Sequence, residues 1–134
     1  MTAASDFGKL ILRVVLAVLI LFHGISKIVG GPGFVLGVVD HAGLPHALAY
    51  GVYVGEVVAP LLVLIGLCTR AAAFVIAVNM VVALALVHTG DFLKIAPTGG
   101  WMLELQAMYL FTAAALVFLG AGRYSAGGAN GMLN

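Results

Sequence analysis

Charged side chains are scarce in this sequence, where Lys, Arg, Asp and Glu make up 8% of 134 residues and hydrophobic residues make up 63%. Soluble domains average about a quarter charged residues. So few charges cannot cover a soluble surface, and a chain of this length is expected to form one domain, residues 1–134. The excess apolar residues are therefore expected to face lipid.

Cysteine and clustered basic residues are lacking as well. Cys68 is the single cysteine, which excludes an intrachain disulfide and a C-x-x-C redox pair. The basic residues are scattered singly from Lys9 to Arg123, whereas nucleic-acid binding requires a clustered basic face. The four His residues show no i, i+4 spacing and have no thiolates beside them. Neither a nucleic-acid partner nor a metal site is predicted.

Long apolar segments fill most of the chain. Four of them approach the roughly 20 residues that cross about 30 Å of hydrocarbon as a helix. Membrane strands would alternate polar and apolar residues, and these segments are apolar all round. The predicted fold is an all-α integral membrane protein, a bundle of four transmembrane helices at residues 7–29, 47–67, 71–88 and 102–120. The first segment lacks a cleavage site and is expected to stay as a helix.

The connections between these segments differ in length. Only Cys68, Thr69 and Arg70 separate the second and third segments, so these two form a tight hairpin. Residues 34–41, between the first and second segments, are too few to cross a bilayer. They are predicted to form a short interfacial helix or a re-entrant turn that caps the bundle and ends at Gly43 and Pro45.

Basic residues near the segment ends set the orientation. Four lie on the side of both termini and two on the other, namely Lys9, Arg13, Arg70 and Arg123 against Lys27 and Lys94. The side with more basic residues is usually cytoplasmic. The chain is therefore predicted to be a multi-pass protein of the cell (inner) membrane, with its N and C termini in the cytoplasm.

Glu56 is the leading candidate for function, because it lies about 13 Å below the outer end of the second segment, too deep to reach water. On the first segment, Arg13, His23 and Lys27 share a narrow stripe that includes Gly24, which allows close helix contact. We expect Glu56 to approach Arg13, His23 or Lys27. The sequence leaves open whether this is an ion pair that locks two helices or a proton or ligand site.

Three other polar residues are secondary candidates. Asn79 and His88 are nine residues apart, half a turn out of phase, so only one is expected to face a shared interior. Each also has a plain structural interpretation, as a contact between helices or as an interfacial residue. Glu104 lies near the outer start of the fourth segment, where a solvated carboxylate suits the helix dipole. Gln106 points to the opposite face, so Glu104 and Gln106 cannot line one cavity. The aromatic residues near proposed interfaces are Tyr50, Tyr53, Trp101, Tyr109 and Tyr124.

The chain resembles the DoxX family of small four-helix bacterial and archaeal membrane proteins. The resemblance depends on Arg13 followed by FHGISKI at residues 22–28, on GE at 55–56 leading to GLCTR at 66–70, and on GAGRYS at 120–125. It implies a membrane subunit linked to respiratory or sulfur redox chemistry, because relatives include small subunits of a thiosulfate:quinone oxidoreductase. Family members often continue with Leu-Asp, where this chain has Ala126 and Gly127, so a role for that acid is absent.

The resemblance and the polar residues together predict a membrane subunit of a quinone-linked or stress-related oxidoreductase system. Its bundle would hold a quinone or a lipid-like ligand, and its partners would be membrane lipid and an oxidoreductase subunit; an oligomer is compatible with this. The chain has no flavin, haem or dithiol motif, so no intrinsic cofactor is expected, and whether it is itself an enzyme stays open. The alternatives are a proton or small-solute transport module centred on Glu56, and a structural scaffold.

Overall fold

The computed structural model describes residues 2–134, and within this range the regular structure is helical, with no β-strand. Five α-helices are present in the described range: α1 Ala3–Gly30, α2 Gly33–His41, α3 Ala47–Ile65, α4 Thr69–Val87 and α5 Glu104–Leu119. Helix α3 is continuous but widens to a π-helical turn at Val54–Val58. A 3-10 turn, Thr89–Asp91, follows α4. The all-α prediction is confirmed.

Three helices, α1, α3 and α4, are long and apolar enough to cross a membrane. Helix α1 has 28 residues and a length of about 42 Å, and α3 and α4 have 19 residues each. The fourth apolar segment forms α5, a helix of 16 residues and about 24 Å, which is shorter than the roughly 30 Å of a hydrocarbon core. By length and composition, α1, α3 and α4 are therefore suited to span a membrane.

The helix ends agree with local sequence signals. Thr2 caps α1, because its hydroxyl accepts a hydrogen bond of 3.1 Å from the backbone N–H of Ser5. Helix α3 ends at Ile65, and the next residue, Gly66, has a φ of 77° in the left-handed region that is common just after a helix. Cys68 also has a positive φ, 48°. Helix α4 begins at Thr69. The predicted tight hairpin between the second and third segments is confirmed.

The core lies where α1, the second half of α3, α4 and α5 meet. Helix α4 packs against both α3 and α5, and α1 packs against the same two helices. Small and branched side chains fill the centre, with the members Leu16, Ala17, Ile20, Ala59, Val63, Ala72, Ala73, Ile76, Met80, Tyr109, Ala113 and Leu116. Alanines at these contacts let the helix backbones approach closely. Many large apolar side chains are exposed on the outside, as a lipid-facing surface requires.

Arg13 closes the end of the molecule that carries both termini. Its guanidinium, 1% exposed, donates to the carbonyl oxygens of Val63 (3.0 Å) and Leu64 (3.1 Å) at the end of α3. It also donates to the carbonyl oxygens of Ala121 (3.1 Å) and Tyr124 (2.8 Å) beyond α5. Carbonyls at a helix end lack partners inside the helix. One side chain thus satisfies them and ties α1 to α3 and to the C-terminal segment.

Residues 120–134 fold back over the hairpin between α3 and α4. The side chain of Asn134 accepts a hydrogen bond of 2.9 Å from the N–H of Thr69 and so caps α4. Its backbone oxygen accepts one of 2.7 Å from Ala121. Buried Asp6 lies 3.6 Å from Arg123, which joins the start of α1 to the same segment. We call this end of the molecule, where these contacts join the helices and the C-terminal segment, the closed end.

Candidate functional site

A cavity of about 800 Å³ lies on the side of the core away from the closed end. All five helices contribute to its wall, which is mostly apolar. The polar residues in the wall are His23, Lys27, Glu56, Asn79, His88, Gln106 and Tyr109. Small-molecule sites in proteins have this size and this pattern, an apolar wall with a few polar groups that fix orientation. Five of the residues that the sequence singles out as candidates therefore share one cavity.

Glu56 and Lys27 form an ion pair in this wall. Lys27 Nζ donates to Glu56 Oε2 at 2.6 Å, and the two side chains are 27% and 8% exposed. Of the three partners expected for Glu56, Lys27 is the one that reaches it. The hydroxyl of Tyr53 donates to the carbonyl oxygen of Lys27 at 3.1 Å and steadies this part of α1. The two opposite charges cancel, so the pair adds no net charge to the cavity, and their attraction compensates part of the cost of burying them.

Two glycines bring three helices together at the level of Glu56. A Cβ on Gly24 of α1 would overlap the backbone oxygen of Glu56, and a Cβ on Gly55 would lie 2.6 Å from Cγ of Asn79. Neither position can accept a larger side chain without moving its neighbours. The predicted close approach at Gly24 is confirmed, and it occurs against the π-helical turn, a distortion that is frequent at functional sites.

Arg13 does not join Glu56, which corrects the grouping that the helical stripe predicts. Spacing along α1 fixes the side of the helix on which a residue lies, and Arg13 and Lys27 do project toward the interior. They are 14 residues apart, however, which places them about 21 Å from each other along the axis. Arg13 therefore meets the backbone carbonyls of the closed end, while Lys27 meets Glu56.

His23 and Tyr109 form an aromatic pair across the cavity wall. Their ring centroids are 5.9 Å apart with an interplanar angle of 80°, an edge-to-face contact between α1 and α5. Tyr109 is 8% exposed. Within residues 2–134, neither the Tyr109 hydroxyl nor the imidazole nitrogens of His23 have a hydrogen-bond partner. Both groups are free to bind a ligand atom in the cavity.

Two amide side chains in the wall also lack partners. Oε1 of Gln106 is buried and accepts no hydrogen bond from residues 2–134. Leaving a buried acceptor unsatisfied costs about 1–3 kcal/mol, so a ligand or water that donates to it is stabilised. Asn79 packs on Gly55 and lines the cavity, and its amide makes no hydrogen bond within the described residues. The cavity thus holds four polar side chains whose hydrogen-bonding capacity the protein does not use.

Asn79 and His88 both line the cavity, which corrects the prediction that only one of them faces the interior. The prediction assumes that α4 continues through His88. The helix ends at Val87, and His88 has φ of −112° and ψ of 14°, so the helical phase does not extend to it. Its Nδ1 lies 3.5 Å from Oδ2 of Asp91 in the following turn.

Glu104 and Gln106 separate as expected. Glu104 is exposed in the first turn of α5, with its carboxylate beside Gly100, and lies outside the cavity wall. Gln106 lies in the wall together with Tyr109, three residues further along α5. Sequence reasoning did not select Gln106 and Tyr109 as site residues. Their spacing on one face of an apolar helix is the signal that identifies them.

These features define a helical membrane protein with a largely apolar ligand-sized cavity away from its closed end. The DoxX family model matches residues 8–89, more than half of the chain, and the chain belongs to the DoxX family. The matched region extends from α1 to just beyond α4. It includes the Lys27–Glu56 ion pair, whereas Gln106 and Tyr109 lie beyond it.

Two relatives have comparable similarity. An uncharacterized protein of Haemophilus influenzae is 35% identical over 115 residues, which are 83% of this chain and 81% of the relative. A Bacillus subtilis protein named "Putative oxidoreductase CatD" is 31% identical over 84 residues, which are 63% of this chain and 62% of that relative. No solved structure matches the chain with significant similarity.

Proposed function

We propose that this protein is a membrane subunit that binds a quinone in its cavity and presents it to an oxidoreductase partner. The observation that carries the proposal is the convergence of His23, Asn79, Gln106 and Tyr109, all without protein partners, on one apolar cavity of about 800 Å³. The oxygens of a quinone or quinol ring are suited to amide, hydroxyl and imidazole groups, and its carbon skeleton is suited to the apolar wall.

The partner in this proposal exchanges electrons with the bound ring. A bound quinone supplies two-electron redox chemistry, whereas the residues of this chain bind the ring, orient it and keep it from bulk water. The name of the Bacillus subtilis relative, which includes the word oxidoreductase, supports a redox system. In this account the chain is a binding subunit, and electron transfer to or from the ring requires the second protein.

The proposed placement in the inner membrane has four spans, with α5 as the fourth. Helix α5 packs along α4 and α1, and apolar Met102 and Leu103 precede it, which lengthens its apolar segment. With an even number of spans both termini lie on one side, and the four basic residues at the closed end favour the cytoplasmic side. Helix α2 then lies at the outer interface and contributes to the cavity wall there.

Proton or solute transport centred on Glu56 has less support, because transport requires access to Glu56 from both sides. Glu56 borders the cavity on one side, and fully buried Ile20, Val63, Ile76 and Leu116 fill the space toward the closed end. A purely structural role accounts for the Lys27–Glu56 pair as a lock between helices. It gives no reason for the unsatisfied oxygen of Gln106.

The test uses purified protein in detergent and in lipid nanodiscs. Native mass spectrometry measures the quinone retained, and titration with decylubiquinone measures binding. We expect the wild type to bind and the double variant Gln106→Leu, Tyr109→Phe to bind about tenfold or more weakly, because two hydrogen bonds to the ring are lost. The control, Glu104→Gln, lies outside the cavity on the same helix and should match the wild type. Undiminished binding in the double variant would contradict the proposal.

A further inference from the structure

The connection between α4 and α5 forms a short hairpin at the end of the molecule away from the closed end. We call residues 92–102 the α4–α5 loop. Ile95 and Trp101 face each other in an antiparallel bridge, and the backbone N–H of Ala96 donates to the carbonyl oxygen of Gly100 at 2.7 Å. Side chains that face each other in such a bridge lie on the same side of the hairpin. Ile95 and Trp101 therefore share one face of the loop.

Trp101 also braces the loop from within. Its indole Nε1–H donates to the carbonyl oxygen of Phe92 at 2.8 Å, so the ring reaches back across the hairpin to its first residue. An indole has one hydrogen-bond donor and no acceptor, and here the protein backbone satisfies that donor. The part of the ring that stays exposed, 41% of the residue, is therefore free to contact apolar surroundings.

Large apolar side chains of this loop are exposed although its backbone is held by hydrogen bonds. Leu93 is 98% exposed, Ile95 is 71% exposed, and Phe92 and Trp101 are each more than 40% exposed. Single exposed apolar residues are common on protein surfaces, whereas several close together indicate an interaction site. Burial of this patch in an apolar medium would be favourable, and no described part of the protein covers it.

The length of α5 favours lipid as the partner of this patch. Helix α5 measures about 24 Å, roughly 6 Å less than the hydrocarbon core of a bilayer. Such a mismatch is reduced when residues next to the helix extend its apolar band. The exposed apolar surface continues along the chain from the loop into α5, where Met108 and Phe111 are 65% and 68% exposed. The loop is thus in a position to complete the apolar band of this helix.

The size and the charge of the loop also favour a membrane over a protein partner. A stable protein interface takes about 20–30 residues from each side, many more than this loop offers. Lys94 lies between Leu93 and Ile95, its side chain is 60% exposed, and its Nζ is 3.3 Å from Oδ1 of Asp91. Successive side chains of an extended segment point to opposite faces, so Lys94 lies opposite Ile95. Apolar groups on one face and a long cationic side chain on the other suit a membrane interface.

We propose that the α4–α5 loop is a lipid-binding anchor, which inserts Leu93, Ile95 and the ring of Trp101 among the acyl chains of the adjacent leaflet. Asp91, at the base of the loop, then lies at the level of the lipid head groups. Because Asp91 is 3.5 Å from His88 in the cavity wall, the anchor fixes this edge of the cavity at the membrane surface. The partner is phospholipid, and the proposal does not depend on quinone binding.

Trp101 is the single tryptophan of the chain, so the fluorescence of the unlabelled protein reports on the loop. The protein is placed in nanodiscs whose lipids are brominated near the head-group end of the acyl chains, and iodide is added in a parallel sample. Bromine quenches a ring that lies among the chains, whereas iodide quenches a ring in water. We expect brominated lipid to remove at least half of the Trp101 emission and iodide to remove little. Weak quenching by brominated lipid would overturn the anchor.

A label at Leu93 tests the tip of the patch, because this side chain is almost fully exposed and its replacement removes little packing. In a Cys68→Ala background, Leu93→Cys is labelled with bimane. Phe111→Cys on α5 is the reference for lipid contact, and Asp40→Cys, at a side chain that is 77% exposed, is the reference for water.

We expect brominated lipid to quench the label at position 93 at least half as strongly as the label at 111. Iodide should quench it less than half as strongly as the label at 40. Strong iodide quenching without lipid quenching would show that the loop lies in water. Weak quenching by both would show that a second copy or another protein covers it. Either of these results would overturn the proposal.

Discussion

Replacing Arg13 by Lys should destabilise the protein and leave its ligand in place. Arg13 donates four hydrogen bonds to the carbonyl oxygens of Val63, Leu64, Ala121 and Tyr124. A lysine keeps the charge but has one ammonium group and no planar fork, so it can serve only part of this set. At least two carbonyls at the closed end then lose their donor.

The expected loss in the free energy of unfolding of Arg13→Lys is about 2–4 kcal/mol. A hydrogen bond from a charged donor contributes about 1.5–3 kcal/mol, and two such bonds are lost. The sum of the two is reduced because two of the four bonds are only partly buried and because such contributions are not additive. The matched control is Arg123→Lys, at a side chain that is 54% exposed and 3.6 Å from Asp6. Exposed pairs contribute about 1 kcal/mol at most, so this variant should stay close to the wild type.

Thermal unfolding in detergent and bound-ligand content are measured on the same preparation. Arg13→Lys should lower the midpoint by roughly 10 °C, while the folded fraction keeps the wild-type amount of quinone, because Arg13 lies about 21 Å along α1 from Lys27. If Arg13→Lys has the stability of the wild type but has lost its quinone, this reasoning is refuted, and Arg13 belongs to the ligand site.

Two other predictions concern the ion pair and the orientation. Glu56→Gln leaves Lys27 without a counter-ion in a partly buried site and should lower the free energy of unfolding by about 2 kcal/mol. Adding Lys27→Met should recover part of this loss. If the losses of the two single variants simply add in the double variant, the pair is not a lock between helices. If the folded double variant no longer binds decylubiquinone, the pair also serves the ligand. A reporter fused after Asn134 should be cytoplasmic and one inserted near Gly99 external, and an external C terminus would overturn the topology.

Features that depend on the bilayer could be predicted from the sequence. The lack of water in the hydrocarbon core forces apolar segments into helices, so the approximate positions of the helices follow from hydropathy and from breakers such as Gly43 and Pro45. A contact between Glu56 and one of Arg13, His23 and Lys27 could also be predicted, because a carboxylate at that depth requires a partner and a basic stripe lies on the preceding helix. The structure identifies Lys27 as that partner.

Features that depend on the ends of helices could not be predicted in this way. The role of Arg13 requires the C-terminal segment to fold back so that Ala121 and Tyr124 present their carbonyls, and no periodicity encodes that return. His88 faces the cavity because α4 ends one residue earlier than the apolar pattern indicates. Helical periodicity predicts which face of a helix a residue occupies, and it no longer applies to a residue beyond the end of the helix.

The cavity depends on tertiary packing that a single sequence does not specify. Tyrosine is a residue type that is common at membrane interfaces, and the sequence alone suggests that place for Tyr109. In the structure Tyr109 lies in the cavity wall, in edge-to-face contact with His23. Gln106 becomes a candidate ligand-binding residue only because the packing of α5 buries its Oε1 without a hydrogen-bond donor from the described residues. Both residues lie beyond the part of the chain that the DoxX family model matches.

Quinone binding in the cavity is the central claim, and native mass spectrometry of the protein extracted from its own membrane tests it most directly. Wild-type protein is compared with the double variant Gln106→Leu, Tyr109→Phe and with Glu104→Gln, all at equal folded fraction. The account predicts a retained quinone in the wild type and in Glu104→Gln, and about a tenfold lower occupancy in the double variant. Wild-type protein that retains no quinone and does not take up added decylubiquinone would contradict it.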